Sequence, residues 1–202
     1  METEMGTRNL TMVVLDHEAR VAQYGQWDGY PEGGQGQTVI DFITEMNDSG
    51  GWDEFCDRVR RCAFITGEEK VRRMKATGVR VRDDGLVNVA DPQLQAWEKA
   101  HPELTRDIGA KVLFTIMASP PLELVDSSTF AADSLFCEYA YVLDLDRMVL
   151  EMYTGFQKGP VKGRFADMPA EGQYSPVGLA GEWPLATVTL ADLIAADGED
   201  EG

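Results

Sequence analysis

Between Arg20 and Thr38 the chain reads Arg-Val-Ala-Gln-Tyr-Gly-Gln-Trp-Asp-Gly-Tyr-Pro-Glu-Gly-Gly-Gln-Gly-Gln-Thr, and this run restricts the possible backbones severely. Gly33, Gly34 and Gly36 permit positive φ and close backbone approach, while Pro31 stiffens the entry to the loop. Regular structure is therefore excluded from Gly29 to Gly36. The segment before the loop, Arg20 to Trp27, reads as a strand. In that strand Val21, Gln23, Gly25 and Trp27 share one face, and Ala22, Tyr24, Gln26 and Asp28 share the other. The segment after the loop reads as a helix opening at Gln37 or Thr38, with Val39, Ile40, Phe42, Ile43 and Met46 on one side. A glutamine on each face of one strand means that one amide points at the core or a cleft and must find partners there.

Around this stretch the rest of the chain is arranged. Leu10 to Leu15 is a β-rich apolar run that turns at Asp16-His17-Glu18-Ala19 and makes a hairpin with Arg20 to Trp27. Trp52 to Phe64 and Gly67 to Thr77 read as amphipathic helices, and Val79 to Val89 as a small hairpin around Asp83-Asp84-Gly85. Asp91-Pro92 caps a further helix to Ala100, and Thr105 to Ala118 reads as the longest buried helix. Leu135 to Phe156 reads as a second hairpin turning at Asp144-Leu145-Asp146-Arg147, with Glu138 the one charge among Phe136, Ala140 and Val142. Gln157 to Pro184 is rich in Gly and Pro and is expected to wrap the surface. Leu190 to Ala196 forms a terminal helix before an acidic tail, 197–202. Strands at both ends with helices between them predict one α+β domain, 1–202, with a mainly antiparallel sheet and a helical insertion over about 52–118.

Charge sets the limits on partners. A formal net charge of −17 excludes general nucleic-acid binding, which needs a basic footprint, and permits a basic protein partner. The positive charge is concentrated between Phe55 and Arg82, and reads as a solvated helical face paired with acidic neighbours, or alternatively as an anion site. Nothing resembles an apolar membrane span, and Met-Glu-Thr-Glu-Met-Gly-Thr-Arg is unlike a secretory signal. A cytoplasmic protein with no membrane contact is expected, its Cys56, Cys62 and Cys137 reduced.

Several chemistries are tested by their residues. Pro31 to Thr38 sits where a phosphate loop would, but Pro31 stands for the first glycine and Gln37 for the lysine that pairs the phosphates. Two histidines, His17 and His101, and no close Cys pair give no zinc set. Asp28, Asp144 and Asp146 are oxygen ligands in principle and turn residues by position. No Gly-x-Ser-x-Gly elbow exists, and Cys137 reads as an inert strand thiol. The layout also matches an N-terminal-nucleophile hydrolase, with Thr11 opening the first strand and Gln23, Gln26 and Asp28 on the second, although ten residues precede Thr11.

The run Ala22-Gln-Tyr-Gly-Gln-Trp-Asp-Gly-Tyr-Pro31, followed by Glu-Gly-Gly-Gln-Gly, resembles the signature of a family of uncharacterised proteins in phage, bacterial and some fungal genomes. One extra glycine, in the Gly33-Gly34 pair, is a departure. Glu138-Tyr139-Ala140-Tyr141 followed by Asp144 also resembles the family's later hairpin. The resemblance identifies a relative, implies no established activity and names no cofactor; a soluble accessory protein of phage or prophage origin is the expectation adopted. From the residues themselves comes the expectation of a polar–aromatic pocket for a small molecule. Gln23, Tyr24, Gln26, Trp27, Asp28 and Tyr30 would line it, with Glu138 and Tyr139 from the later hairpin, the aromatic rings stacking on a flat group. Three alternatives accompany it. One is a corner that only locks hairpin to helix. Another is a hydrolase with Asp28 or Glu138 as general base. The third is an acidic surface that inhibits a basic host protein.

Overall fold

The computed structural model describes residues 6–198 except Asp84, Pro120 and Glu171. The first apolar run forms β1 (Asn9–Leu15), which turns through Asp16 and His17 into β2 (Glu18–Gly25). The later hairpin is β5 (Tyr139–Asp144) and β6 (Val149–Thr154). These strands and β7 (Gly178–Pro184) make a five-stranded sheet in the order β2-β1-β5-β6-β7. All neighbours are antiparallel except β1 and β5, which run parallel. With helices between the N-terminal and C-terminal strands, the fold is α+β.

The central strands are apolar on both faces because both faces are covered. Val13, Leu15, Tyr141, Leu143, Leu150 and Met152 point to a helical layer. That layer comprises α1 (Gln35–Ser49), α2 (Trp52–Arg60), α5 (Val112–Ala118) and α6 (Leu190–Gly198). Its Val39, Phe42, Ile43 and Met46 are the apolar stripe of α1, and Phe55, Leu113, Ile116 and Leu193 complete the core. On the opposite face Leu10, Met12, Val14, Ala140, Val142 and Tyr153 meet Ala131, in a 3-10 turn, and Phe165 and Val177, in irregular chain. A satellite core of Met74, Val79, Leu94, Trp97 and Leu104 unites α3 (Gly67–Ala76) and α4 (Pro92–Ala100).

Several expectations are corrected. The second helix stops at Arg60, and Ala63–Ile65 forms strand β3, parallel to β4 (Glu123–Val125), because an apolar partner strand is available far along the chain. Between 79 and 89 the expected small hairpin is reduced, among the described residues, to an antiparallel bridge of Val81 with Val87 and the bond from Arg82 N–H to Leu86 O at 2.9 Å. The helix expected from Thr105 begins only with a 3-10 turn at Gly109–Lys111, since Gly109 takes φ 48° against the side chain of Gln35. At 15 residues α1 is the longest described helix. The Gly- and Pro-rich connection yields β7 at its end. Asp197 belongs to α6, while 199–202 lie outside the described residues. Among the described residues no helix is long and apolar enough to cross a membrane.

The irregular layer is pinned by a charge cluster around two buried carboxylates. Arg164 donates from Nε to Glu151 Oε2 (2.6 Å) and from Nη2 to Asp144 Oδ2 (2.6 Å) and Glu151 Oε1 (2.7 Å). Tyr153 Oη donates to Glu151 Oε2 at 2.7 Å and accepts the Arg164 backbone N–H at 3.1 Å. Arg147 adds a rim contact, Nη1 to Glu151 Oε1 at 3.0 Å and Nη2 to Glu182 at 2.6 Å. Glu151 and Asp144 are buried, and these bonds hold the Arg164 guanidinium in its charged form. Asp146 closes the far end of the sheet, its carboxylate accepting the backbone N–H of Asp16 (2.9 Å) and His17 (2.7 Å). Both turn residues have positive φ, so the clip holds a strained turn.

Removing one partner of a buried ion cluster leaves the other charges uncompensated. Arg164→Met is therefore expected to lower stability by about 3 to 5 kcal/mol. Arg147→Met, on the exposed rim, is expected to cost about 1 kcal/mol or less. Urea unfolding of the two variants measures the contrast; equal losses would contradict it.

Candidate functional site

The signature loop is tied at nearly every residue. Asn9 Nδ2 donates to the carbonyls of Gly25 (3.3 Å) and Trp27 (3.1 Å), and Gly29 N–H donates to Thr7 O at 2.9 Å. Buried Tyr141 Oη donates to Gly29 O at 2.8 Å. Gln35 N–H reaches Asp28 O at 2.7 Å, its Nε2 reaches Trp27 O at 3.2 Å, and its Oε1 accepts Ala110 N–H at 2.7 Å. Loop, sheet and the segment before α5 thus meet at one corner.

The side chains expected to line a pocket are distributed over this corner. Gln23 is buried on the helical face and donates to Tyr24 O (2.9 Å) and Thr105 O (3.1 Å). Tyr24 is on the opposite face, its hydroxyl donating to Gln26 Oε1 at 2.7 Å and its ring edge-on to Phe130. With Asp126, Ser127 and Asp133 it borders a depression of about 360 Å³. Trp27 Nε1 donates to Asp107 at 3.1 Å, and Tyr30 Oη donates to Asp28 Oδ1 at 3.0 Å, both at the surface. Asp28 itself takes φ 57°. Thr11 is fully buried in mid-strand between Gln23 and Tyr141, which leaves a nucleophile no approach path.

Glu138 and Tyr139 come together elsewhere. With Thr154, Gly155, Phe156, Gln157 and Asp197 they enclose a cleft of about 410 Å³ where β5 begins and β6 ends. Glu138 is anchored through its backbone, N–H to Arg8 O at 3.0 Å and carbonyl from Gly155 N–H at 2.8 Å. Its Oε1 accepts the Arg8 backbone N–H at 3.3 Å. Tyr139 lies parallel to Tyr141, with ring centroids 6.4 Å apart, and donates its hydroxyl to Asp197 Oδ1 at 2.8 Å. A Cβ on Gly155 would strike the carbonyl oxygens of Cys137 and Ser134, so only glycine lets β6 leave the sheet here. Phe156 comes next at φ 57°, its N–H held by Ser134 O at 2.6 Å, and the residue is 57% exposed at the cleft mouth. Gln157 Nε2 donates to Gly155 O at 3.0 Å.

Burial pushes the Glu138 carboxyl up from its ordinary 4.5, while the Arg8 N–H and the Arg8 charge pull the other way. The Cys137 thiol, fully buried, is pushed far above its ordinary value and is inert at neutral pH. Asp28 does not line the cleft. Among the described residues no group of three or more His, Cys, Asp and Glu is placed to hold a metal. Asp144 and Asp146 instead serve Arg164 and the first turn. The basic stretch is engaged in ion pairs: Arg58 with Glu54 (2.8 Å), Arg60 with Asp16 (3.1 Å), Arg73 with Glu123 (2.6 Å), and Arg72 with Glu69.

No family model, no curated protein and no solved structure matches the chain.

Thr154, Gln157 and Asp197 are not singled out by sequence reasoning. A signal for Asp197 exists, since Leu190, Leu193, Ile194 and Asp197 have helical spacing and Leu193 is fully buried. None exists for Gln157, whose place depends on the turn after Gly155.

The two adjacent glycines of the corner differ in what makes them necessary. Gly33 has φ 72° and open space around it, so Gly33→Ala is expected to cost about 1 kcal/mol from the left-handed backbone alone. At Gly34 a Cβ would fall on the carbonyl oxygens of Asp28 and Tyr30. Gly34→Ala is therefore expected to cost about 3 kcal/mol or more, and thermal unfolding ranks the two.

A carboxyl raised by burial binds its proton more tightly folded than unfolded. Its stabilising contribution is complete below pH 4.5 and is lost as pH rises through the folded value. Glu138→Gln, which cannot ionise, is expected to unfold at a higher urea concentration than wild type at neutral pH, the midpoints converging below pH 4.5. A gap independent of pH would mean that desolvation of Glu138 is not the cause.

Proposed function

We propose that this protein is a cytoplasmic accessory protein that binds a small polar molecule in the cleft between the start of β5 and the end of α6. The observation that carries this reading is convergence. Carboxylates of Glu138 and Asp197, from segments distant in the chain, face one concavity of about 410 Å³ with Tyr139, Thr154 and Gln157. That volume is in the range of small-molecule sites, where a few fixed polar groups set the orientation of the ligand. Rigid positioning supports the same reading: Glu138 and Gly155 are joined through the backbone, and Tyr139 is held between Tyr141 and Asp197. The signature loop supplies the foundation, since Gly29 receives the hydroxyl of Tyr141. Three free cysteines are consistent with a reducing compartment.

A second reading, capture of a basic protein, is favoured by one feature. Asp41, Glu45 and Asp48 border an open depression on the outward side of α1. Capture through that side would weaken steeply with added salt.

Mass spectrometry of protein purified from its host separates the readings. Extra mass in the native spectrum, absent after denaturation and lost in Glu138→Gln and Asp197→Asn, is expected. An empty wild-type chain would overturn the ligand-binding reading.

A further inference from the structure

We infer that the molecule taken by this cleft presents a cationic head, an alkylammonium or a guanidinium, on a short apolar stem. The inference rests on the ligand-binding reading above and adds the chemistry of the ligand.

Unspent hydrogen-bonding capacity is the first argument. Glu138 Oε1 accepts one backbone N–H and Asp197 Oδ1 accepts the Tyr139 hydroxyl. The second oxygen of each carboxylate has no hydrogen-bond partner among the described residues. The donors at hand are committed: the Gln157 amide to Gly155 O and Thr154 Oγ1, and the Tyr139 hydroxyl to Asp197. A ligand that fits must bring hydrogen-bond donors, and an anion would face two carboxylates with no cation lining the cleft among the described residues.

Nearby cations supply the second argument, because they are directed away. The Arg8 guanidinium stacks on the exposed Phe136 ring, 4.7 Å from its centroid. Lys158, next to Gln157 in the chain, lies 5.4 Å from the centroid of Tyr174. Neither makes an ion pair with Glu138 or Asp197, although Lys158 adjoins a cleft-lining position and the Arg8 backbone bonds to Glu138. The chain's large negative charge, −17 in total, adds a field that draws cations in. Half-buried carboxylates with no ion-pair partner among the described residues favour a ligand cation; burial raises the Glu138 carboxyl even against the Arg8 charge.

Phe156 supplies the third. Its exposed ring at the mouth offers a face for the methylene stem of an amine and for the cation itself. A free amine and the side chain of lysine or arginine in a protein segment share this chemistry.

Titration calorimetry at low ionic strength tests the inference on the full chain, using putrescine, a capped Gly-Lys-Gly peptide, neutral butanediol and anionic succinate. Saturable binding of putrescine or the peptide is expected, with butanediol and succinate weaker by roughly tenfold or more. Glu138→Gln and Asp197→Asn should each weaken the cation roughly tenfold while retaining a folded melting transition. Glu138→Gln carries the test alone if Asp197→Asn loosens α6. Tighter binding of putrescine assigns a small-molecule amine, and tighter binding of the peptide assigns a protein segment. Equal binding of butanediol or succinate, or undiminished binding in the variants, would overturn the inference. If amines fail to bind while the native spectrum carries extra mass, only the cationic assignment falls. An empty spectrum with no binding removes the ligand-binding reading as well.

Discussion

Strand β1 lies parallel to β5 in a register running from Asn9–Tyr139 to Val14–Asp144, and this pairing joins two hairpins that would each be marginal alone. Parallel neighbours need a crossover, and here the crossover comprises the whole helical middle of the chain. It lays α1, α2 and α5 over one face of the sheet, together with the later α6. The other face receives no helix from that crossover and is closed by the 3-10 turn at Ser128–Ala132 and by the connection between β6 and β7. Such chain offers less apolar area than an amphipathic helix, and Arg164 compensates by reaching through it to Glu151 and Asp144. A charge cluster of this kind gains little over apolar packing, yet it fixes which segment covers the sheet, because a shifted segment would take the Arg164 counter-charge away from two buried carboxylates.

The corner built by the signature and the cleft built by the later hairpin are one mechanical unit. Gly29 accepts from Tyr141, Tyr141 lies against Tyr139, and Tyr139 donates to Asp197. Through this chain of contacts a loop that does not line the cleft determines how its floor is presented. Many of the loop's amides and hydroxyls are committed to this bracing, which accounts for the concentration of Gln, Trp, Asp and Tyr in so short a stretch.

Both hairpins, the glycine corner and the α+β class are legible in the sequence because local signals and long-range structure agree there. Continuous apolar runs in β1 and β5, turn residues at Asp16 and Asp146, and the apolar stripe of α1 each point one way. β3 and β7 are not legible. Ala63–Ile65 is three residues long and exists only because Glu123–Val125 lies beside it. Gly178–Pro184 carries glycines and a proline that argue against a strand, tolerated at a sheet edge with an irregular register. At the site, Glu138 stands out as a charge in an apolar run. Its partner Asp197 is masked by the acidic residues after it, and the polar residues of the signature suggest a pocket although their bonds run to neighbouring backbone.

The crossover also has a temporal consequence during synthesis. Arg8 and Glu138, which bond to each other at the head of the pairing, are 130 positions apart. At a ribosomal rate of about 5–20 residues per second, β1 and β2 wait on the order of 10 s before the strand that covers their open edge emerges. During that interval a strand destined for burial on both sides has only its hairpin partner. The unpaired edge of β1 is thus an aggregation hazard set by the order of the elements along the chain.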